Sequence, residues 1–326
     1  MIVSGYKALA AAIQIYCAIF STHMSDIALA ANADILTERM NQVAFGDGTV
    51  VLGMDAALDD VQWYRGAKGL SYLALKDEVD RALHVAEQPV PVILIAFGKF
   101  KTDNFFLTST GGYVGPTAIT PTLADVKGNA VLAAPGLGEG IDDGFRLAVQ
   151  QLDLIRDNAA PDAKKTKRGA VDGAGNERGV KLRHVYFEPI AEDERSALRE
   201  SEDDPNESLS DAFKMRNWYC SPAVVRAEMD ELVQKLTHRA VPLAAYDIAG
   251  NIIPPSEYQQ KLAGAIVEAR FTLSHVKVKG VHYFSADVAQ LDVLVAAPVF
   301  KRVHFPLKRS VSEFSMVSPK KKARKN

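Results

Sequence analysis

Two long runs near the C-terminus, Ala265–Val278 and His282–Val295, joined by Lys279-Gly280, constrain this chain more than any other feature. In the first, Val267, Ala269, Phe271 and Leu273 alternate with Glu268, Arg270, Thr272 and Ser274. That is the period-two pattern of a half-buried strand. The phase slips around His275, where Val276 and Val278 take over the apolar side. In the second run Phe284, Ala286 and Val288 give way to Leu291, Val293 and Val295. A phase change inside a long strand marks a β-bulge, and long bulged strands curl a sheet toward a small barrel.

The rest of the chain alternates short apolar runs with helical patterns. Thr49–Met54, Val92–Phe97, Asn104–Thr108, Ala130–Ala134 and Val180–Phe187 read as strands, and Ala249-Gly250 as a hairpin turn. Ser71–Glu87, the segment from Asp142 to about Arg156, and the segment from Ser221-Pro222 to about His238 read as helices, the last capped by Ser221. The expected fold is α+β, with β-rich sheets curled into small barrels and two or three packing helices. A barrel of the oligonucleotide-binding (OB) type is one architecture with this pattern. A flat α+β sheet would tolerate the same strands.

The expected organisation has five parts. An N-terminal extension covers 1–31, and a first α/β domain covers 32–157. A basic flexible loop follows at 158–179. A second β-rich domain spans 180–298 and contains an acidic loop at 192–211. A basic tail covers 299–326. Residues 1–23 precede a second Met24-Ser-Asp start, and their apolar run is short for a membrane span. No membrane association is expected.

Charge divides the chain sharply. The segment from Val299 carries nine cations against Glu313 alone, which leaves the preceding residues net acidic in a chain of net charge −2. Two cysteines, Cys17 and Cys220, make neither a disulfide framework nor a thiolate metal site. The seven histidines show no short ligand spacing, although His275 and His282 are placed to face each other across the terminal hairpin. Gly136-Leu137-Gly138-Glu139-Gly140 lies where phosphate loops lie, but it lacks the dinucleotide spacing and a following lysine. Glu139, Asp142 and Asp143 would repel a phosphate. With no nucleophile–base pair in view, no catalysis, metal or cofactor is expected.

Aromatic and cationic residues interleave in the C-terminal half. Arg216, Trp218, Tyr219, Arg270, Phe271, Lys277, Lys279, Tyr283 and Phe284 are the candidate nucleic-acid-binding set. Single strands are bound by this pairing of chemistries, rings stacking on bases and cations tracking phosphates. The tail run Lys320, Lys321, Lys322, Arg324 and Lys325 resembles a monopartite nuclear-import signal. The expected function is a nuclear protein that binds single-stranded DNA or RNA, with an import receptor as second partner and homo-oligomers possible. The alternative is a self-assembling coat protein of a virus or mobile element, with the tail neutralising packaged nucleic acid.

Overall fold

The computed structural model describes residues 28–298, except 44–48, 55–56, 67–68, 86, 119, 162–165 and 202. The N-terminal extension up to residue 27 and the tail from residue 299, with its import motif, lie outside the described residues. The fold is mixed α+β, with one large sheet and six α-helices among the described residues.

In chain order the strands are β1 (Thr49–Val51), β2 (Val61–Arg65), β3 (Leu70–Leu75), β4 (Ile93–Phe100), β5 (Lys127–Ala133), β6 (Lys167–Arg168) and β7 (Val171–Asp172). Then come β8 (Gly179–Val185), β9 (Phe187–Pro189), β10 (His238–Ala240), β11 (Ala245–Tyr246), β12 (Ile266–Val278) and β13 (Val281–Val295). The helices are α1 over 28–43, α2 (Lys76–Val85), α3 (Glu139–Ala159), α4 (Glu192–Ser201), α5 (Ala223–Lys235) and α6 (Tyr258–Leu262).

β12 and β13 form the spine of the sheet, paired along almost their whole length. Two bulges bend them. Arg270 faces Gln290 while Phe271 faces Val288, so Ala289 is the extra residue. A second shift at Ile266/Val267 leaves Leu294 unpaired. The expected slip at His275 is not a bulge: register is continuous from Phe271 to Val278. His275 stays on the inner side, and Val276 and Val278 lie on the outer one. The apolar pattern changed phase there because a histidine occupies an inward position.

The pairings from this spine run in sequence back to their start. β4 pairs antiparallel with β5, and β5 antiparallel with β8. β8 pairs parallel with β13, β13 antiparallel with β12, and β12 antiparallel with β4. β4 therefore serves three neighbours, since Ile93, Leu94 and Ile95 also pair parallel with β1, and its backbone is closely packed at Gly98. A Cβ there would sit 2.7 Å from Leu132 Cγ, 2.8 Å from the Ala133 carbonyl and 2.9 Å from the Phe145 ring. Beyond β12 the sheet continues through β3 to β2.

One hydrophobic core runs from Val50 to Val293 and includes Leu94, Leu132, Phe145, Leu182, Trp218, Phe271 and Phe284. The boundary expected at 158–179 therefore divides neither sheet nor core, since β4 of the expected first domain pairs with β12 of the second. A smaller core lies under α1, where Leu36 and Val43 pack on Val51, Ile95, Phe97 and Ile266. Arg39 of α1 ion-pairs at 2.5 Å with Glu268, a carboxylate with no exposed surface, and Arg270 holds the other oxygen at 2.7 Å. A buried carboxylate needs such partners to stay ionised.

Several other local expectations change. Ser71–Leu75 is the end of a strand, because β3 pairs with both β2 and β12. The helix starts only at Lys76. Asn104–Thr108 is irregular, with a single ladder-like bond from Phe106 N to Asn129 O. The acidic stretch is folded. α4 opens on Glu192, Asp193 and Glu194, where carboxylates favour a helix N-terminus, and Lys214 pairs with Glu207 and Asp211 beyond it. In the expected basic loop, Lys167 is a buried side chain ion-paired with Asp157. Ser221 does not cap α5: Pro222 occupies that position, with no side-chain hydrogen bond. After β13 the chain passes Gly264 and Thr102; a Cβ on Gly264 would lie 3.2 Å from Pro298.

The close packing at Gly98 is testable. Gly98→Ala should cost about 1–3 kcal/mol in denaturant unfolding, because overpacking forces backbone and side chains apart. Gly140→Ala, in the open first turn of α3, should be neutral or stabilising by up to about 1 kcal/mol.

Candidate nucleic-acid interface

The helices leave one side of the sheet open. On β5, Gly128, Ala130 and Leu132 point inward, while Lys127 and Asn129 point outward. On β8, Val180, Leu182 and His184 point inward, and Lys181, Arg183 and Val185 outward. The register sets Asn129 beside Arg183 and Lys127 beside Val185. β13 continues this outer face with Asp287, Ser285 and Tyr283, and β12 with Thr272, Ser274 and Val276. Beyond them, Tyr72 lies beside Ser274, and Tyr64 beside Tyr72 with ring centroids 5.3 Å apart. Tyr283 and Leu70 are exposed at this end.

Charge on this face is mostly unneutralised. Arg183 holds Asp287 through two bonds, Nε to Oδ1 at 2.6 Å and Nη2 to Oδ2 at 2.7 Å. Lys127, Lys181 and Arg168 of β6 have no carboxylate partner among the described residues, and neither do Lys277 and Lys279 at the hairpin tip. Asp172 is the opposing exposed carboxylate on β7.

The expected set of nine residues is dispersed. Tyr283 and Lys279 are exposed at the hairpin tip, while Lys277, also exposed, lies on the opposite side of the hairpin with His275 and His282. Trp218, Phe271 and Phe284 are sealed in the core and offer no face to a base. Trp218 donates Nε1–H to the Ser109 carbonyl at 2.7 Å and packs on Tyr186 and Phe187. Phe271 and Phe284 occupy inward positions of the same strands that carry Thr272 and Tyr283 outward. Arg270 is engaged by Glu268. Arg216 is exposed but lies 3.6 Å from Asp204 and 3.9 Å from Glu207. Tyr219 is exposed at a separate cavity. Sequence reading missed Lys127, Asn129, Lys181, Arg183 and Tyr72. Alternation in the 180–185 strand was visible, but which side stays uncovered is decided by helices distant in the chain.

The inner side of the hairpin holds an aromatic stack instead. His275 Nε2 and His282 Nδ1 share one hydrogen bond at 2.9 Å, with rings 5.1 Å apart and nearly parallel. Phe284 stacks on His275 at 4.6 Å, Trp63 packs edge-on, and Arg156 lies over Phe284. Trp63 donates its indole N–H to the Ile155 carbonyl, tying β2 to α3. Burial lowers the pKa of both histidines, with Lys277 adding to each, His282 to His275, and Lys167 to His282. His184 is lowered by burial too, and its Nε2–H donates to the Val241 carbonyl at 2.8 Å.

No described group of three His, Cys, Asp or Glu residues is arranged to hold a metal ion. The Gly136–Gly140 run is a strand-to-helix turn in which Asp142 accepts from Gly136 N at 2.8 Å, so a carboxylate already occupies the amide a phosphate would need. Burial raises the Cys220 thiol pKa, the opposite of nucleophile activation.

Because the folded-state pKa values of His184, His275 and His282 lie below the ordinary 6.5, the unfolded chain takes up protons first on acidification. Their contribution to stability is complete above that value and is lost as pH falls through it toward the folded pKa. Thermal melting should therefore drop between pH 8 and pH 5.5. His275→Phe keeps the stack, removes one titrating group and should flatten the profile. Compared with protein-family models, curated proteins and solved structures, the chain finds no match in any of the three.

Proposed function

We propose that this protein binds single-stranded nucleic acid, without catalysis, on the outer face of an OB-like barrel. Numbered along the chain, β4, β5, β8, β12 and β13 are first to fifth. Their pairings run first–second–third–fifth–fourth and back to the first, with only third and fifth parallel. A five-stranded Greek-key barrel of the OB type has its ligand face on the second and third strands, between the loops joining first to second and fourth to fifth. In this chain those are β5 and β8, the long 101–126 loop, and the Lys279-Gly280 turn.

The observation that carries the reading is that this same face is the open one. It bears Lys127, Asn129, Lys181 and Arg183, and it ends at Tyr283 with Lys279 in the adjoining turn. Cations along these strands with rings at one end match the demands of a flexible strand, whose phosphates need charge and whose bases need flat apolar partners.

Fluorescence anisotropy with a labelled oligothymidylate tests the reading. Affinity should fall linearly with salt on logarithmic axes. The Lys127→Ala/Lys181→Ala double variant should lower that slope by roughly 1.4, at about 0.7 per phosphate contact. Tyr283→Ala should weaken binding by about 1–3 kcal/mol. A wild-type chain that ignores the oligonucleotide at low salt overturns the proposal.

We also propose that Lys320, Lys321, Lys322, Arg324 and Lys325 form an address read by a nuclear import receptor. A fluorescent reporter fused to residues 299–326 should concentrate in nuclei, and replacing those five cations with alanine should abolish this. No helix among the described residues is long and apolar enough to cross a membrane.

A further inference from the structure

The loop between β4 and β5 walls a cavity of 410 Å³ that the outer face does not include. That volume lies within the range of about 300–1,000 Å³ found for small-molecule sites. The wall is rigid. Trp218 holds the Ser109 carbonyl, and Glu228 of α5 accepts from the Tyr113 hydroxyl at 2.9 Å and from Leu123 N at 3.0 Å. Burial, reinforced by Glu228, pushes the Tyr113 pKa up to about 12, so the hydroxyl stays a donor.

Two features define what fits. First, Phe106 and Tyr219 present exposed rings to the cavity, 39% and 54% accessible, and no charged side chain lines it. An anion or cation would lose hydration there without a compensating partner. Second, the Ser221 and Ser256 hydroxyls and the Gln259 side-chain amide line the cavity, and none is engaged with another described residue. Flat apolar walls with neutral donors and acceptors at the edge suit a planar, uncharged heteroaromatic ring.

The cavity also adjoins the open face. Phe106 N donates to the Asn129 carbonyl at 2.7 Å, and the Asn129 side chain belongs to that face. Through Phe106 the cavity wall is joined to β5, the strand that carries Asn129 and Lys127 on that face. We infer that the cavity between the 101–126 loop and the Tyr219–Ser221 turn receives one nucleobase turned out of the bound strand. Its phosphates remain over the β5–β8 face. This rests on the proposed single-strand binding and names a base-reading site within it.

The test uses the full chain and an oligothymidylate series carrying one 2-aminopurine at successive positions. One position should show fluorescence quenched by stacking. Phe106→Ala/Tyr219→Ala should abolish that signal and weaken binding about five- to hundredfold. Gln259→Ala should weaken binding of the natural base more than of an abasic residue at that position. Lys181→Ala, at saturating protein, should leave the quenched position intact. Quenching that is equal at all positions, or unchanged in the ring variant, overturns the pocket while leaving binding on the face in place. If the wild-type chain binds no oligonucleotide, the face fails. Titration of free thymidine and adenosine, followed by NMR at the Gln259 side-chain amide, then decides the pocket: a saturable shift supports it and no shift overturns it.

Discussion

Everything in this molecule is arranged around one strand that must satisfy neighbours on both of its edges. β4 pairs with β12 along most of its length on one edge, and with β1 and then β5 on the other. At Gly98 the packing around its backbone is too close for a side chain. With any side chain at that point, Leu132, the Ala133 carbonyl and Phe145 would have to move apart. The two bulges in the β12–β13 spine supply the complementary curvature. Together they bring β5 and β8 around to a position where their outward residues form a shared surface.

That surface stays open because of where the helices pack. α1 covers the outer side of β1, β4 and the start of β12, fastened by Arg39 to the buried Glu268. α3 lies under the hairpin and meets Trp63 through the Ile155 carbonyl. Each element hides apolar area worth roughly 25 cal/mol per Å², and what remains uncovered is the polar side of β5, β8 and β13. The Arg183–Asp287 pair ties this side together: a two-bonded contact across neighbouring strands fixes both side chains.

Local patterning exposed the strong elements and concealed the global ones. The terminal hairpin, β4, β5, β8 and α3 were readable because alternation or a continuous apolar run is a local signal. β3 was misread because Leu73, Leu75 and Val79 also fit helical spacing, and only pairing with β2 and β12 settles Leu70–Leu75 as a strand. The acidic stretch was read as solvated because composition says nothing of caps or partners. The ring residues suffered most. Phe271 and Tyr283 sit on the same hairpin with the same chemistry, yet one faces the core and the other solvent. A one-residue difference in phase decides this, and a bulge shifts that phase invisibly. The open face itself was legible only as scattered lysines on alternating positions.

The passage of Pro298 beside Gly264 and Thr102 has a consequence for the residues that follow it. Thr102 begins the loop that walls the base-sized cavity, so the nine cations beyond residue 298 are tethered at its root. Whatever path they take, the tether gives them a high effective concentration near that loop, a gain that needs no contact of their own with the folded body. If a polyanion lies on the sheet as proposed, these cations are supplied to it by covalent attachment rather than by diffusion.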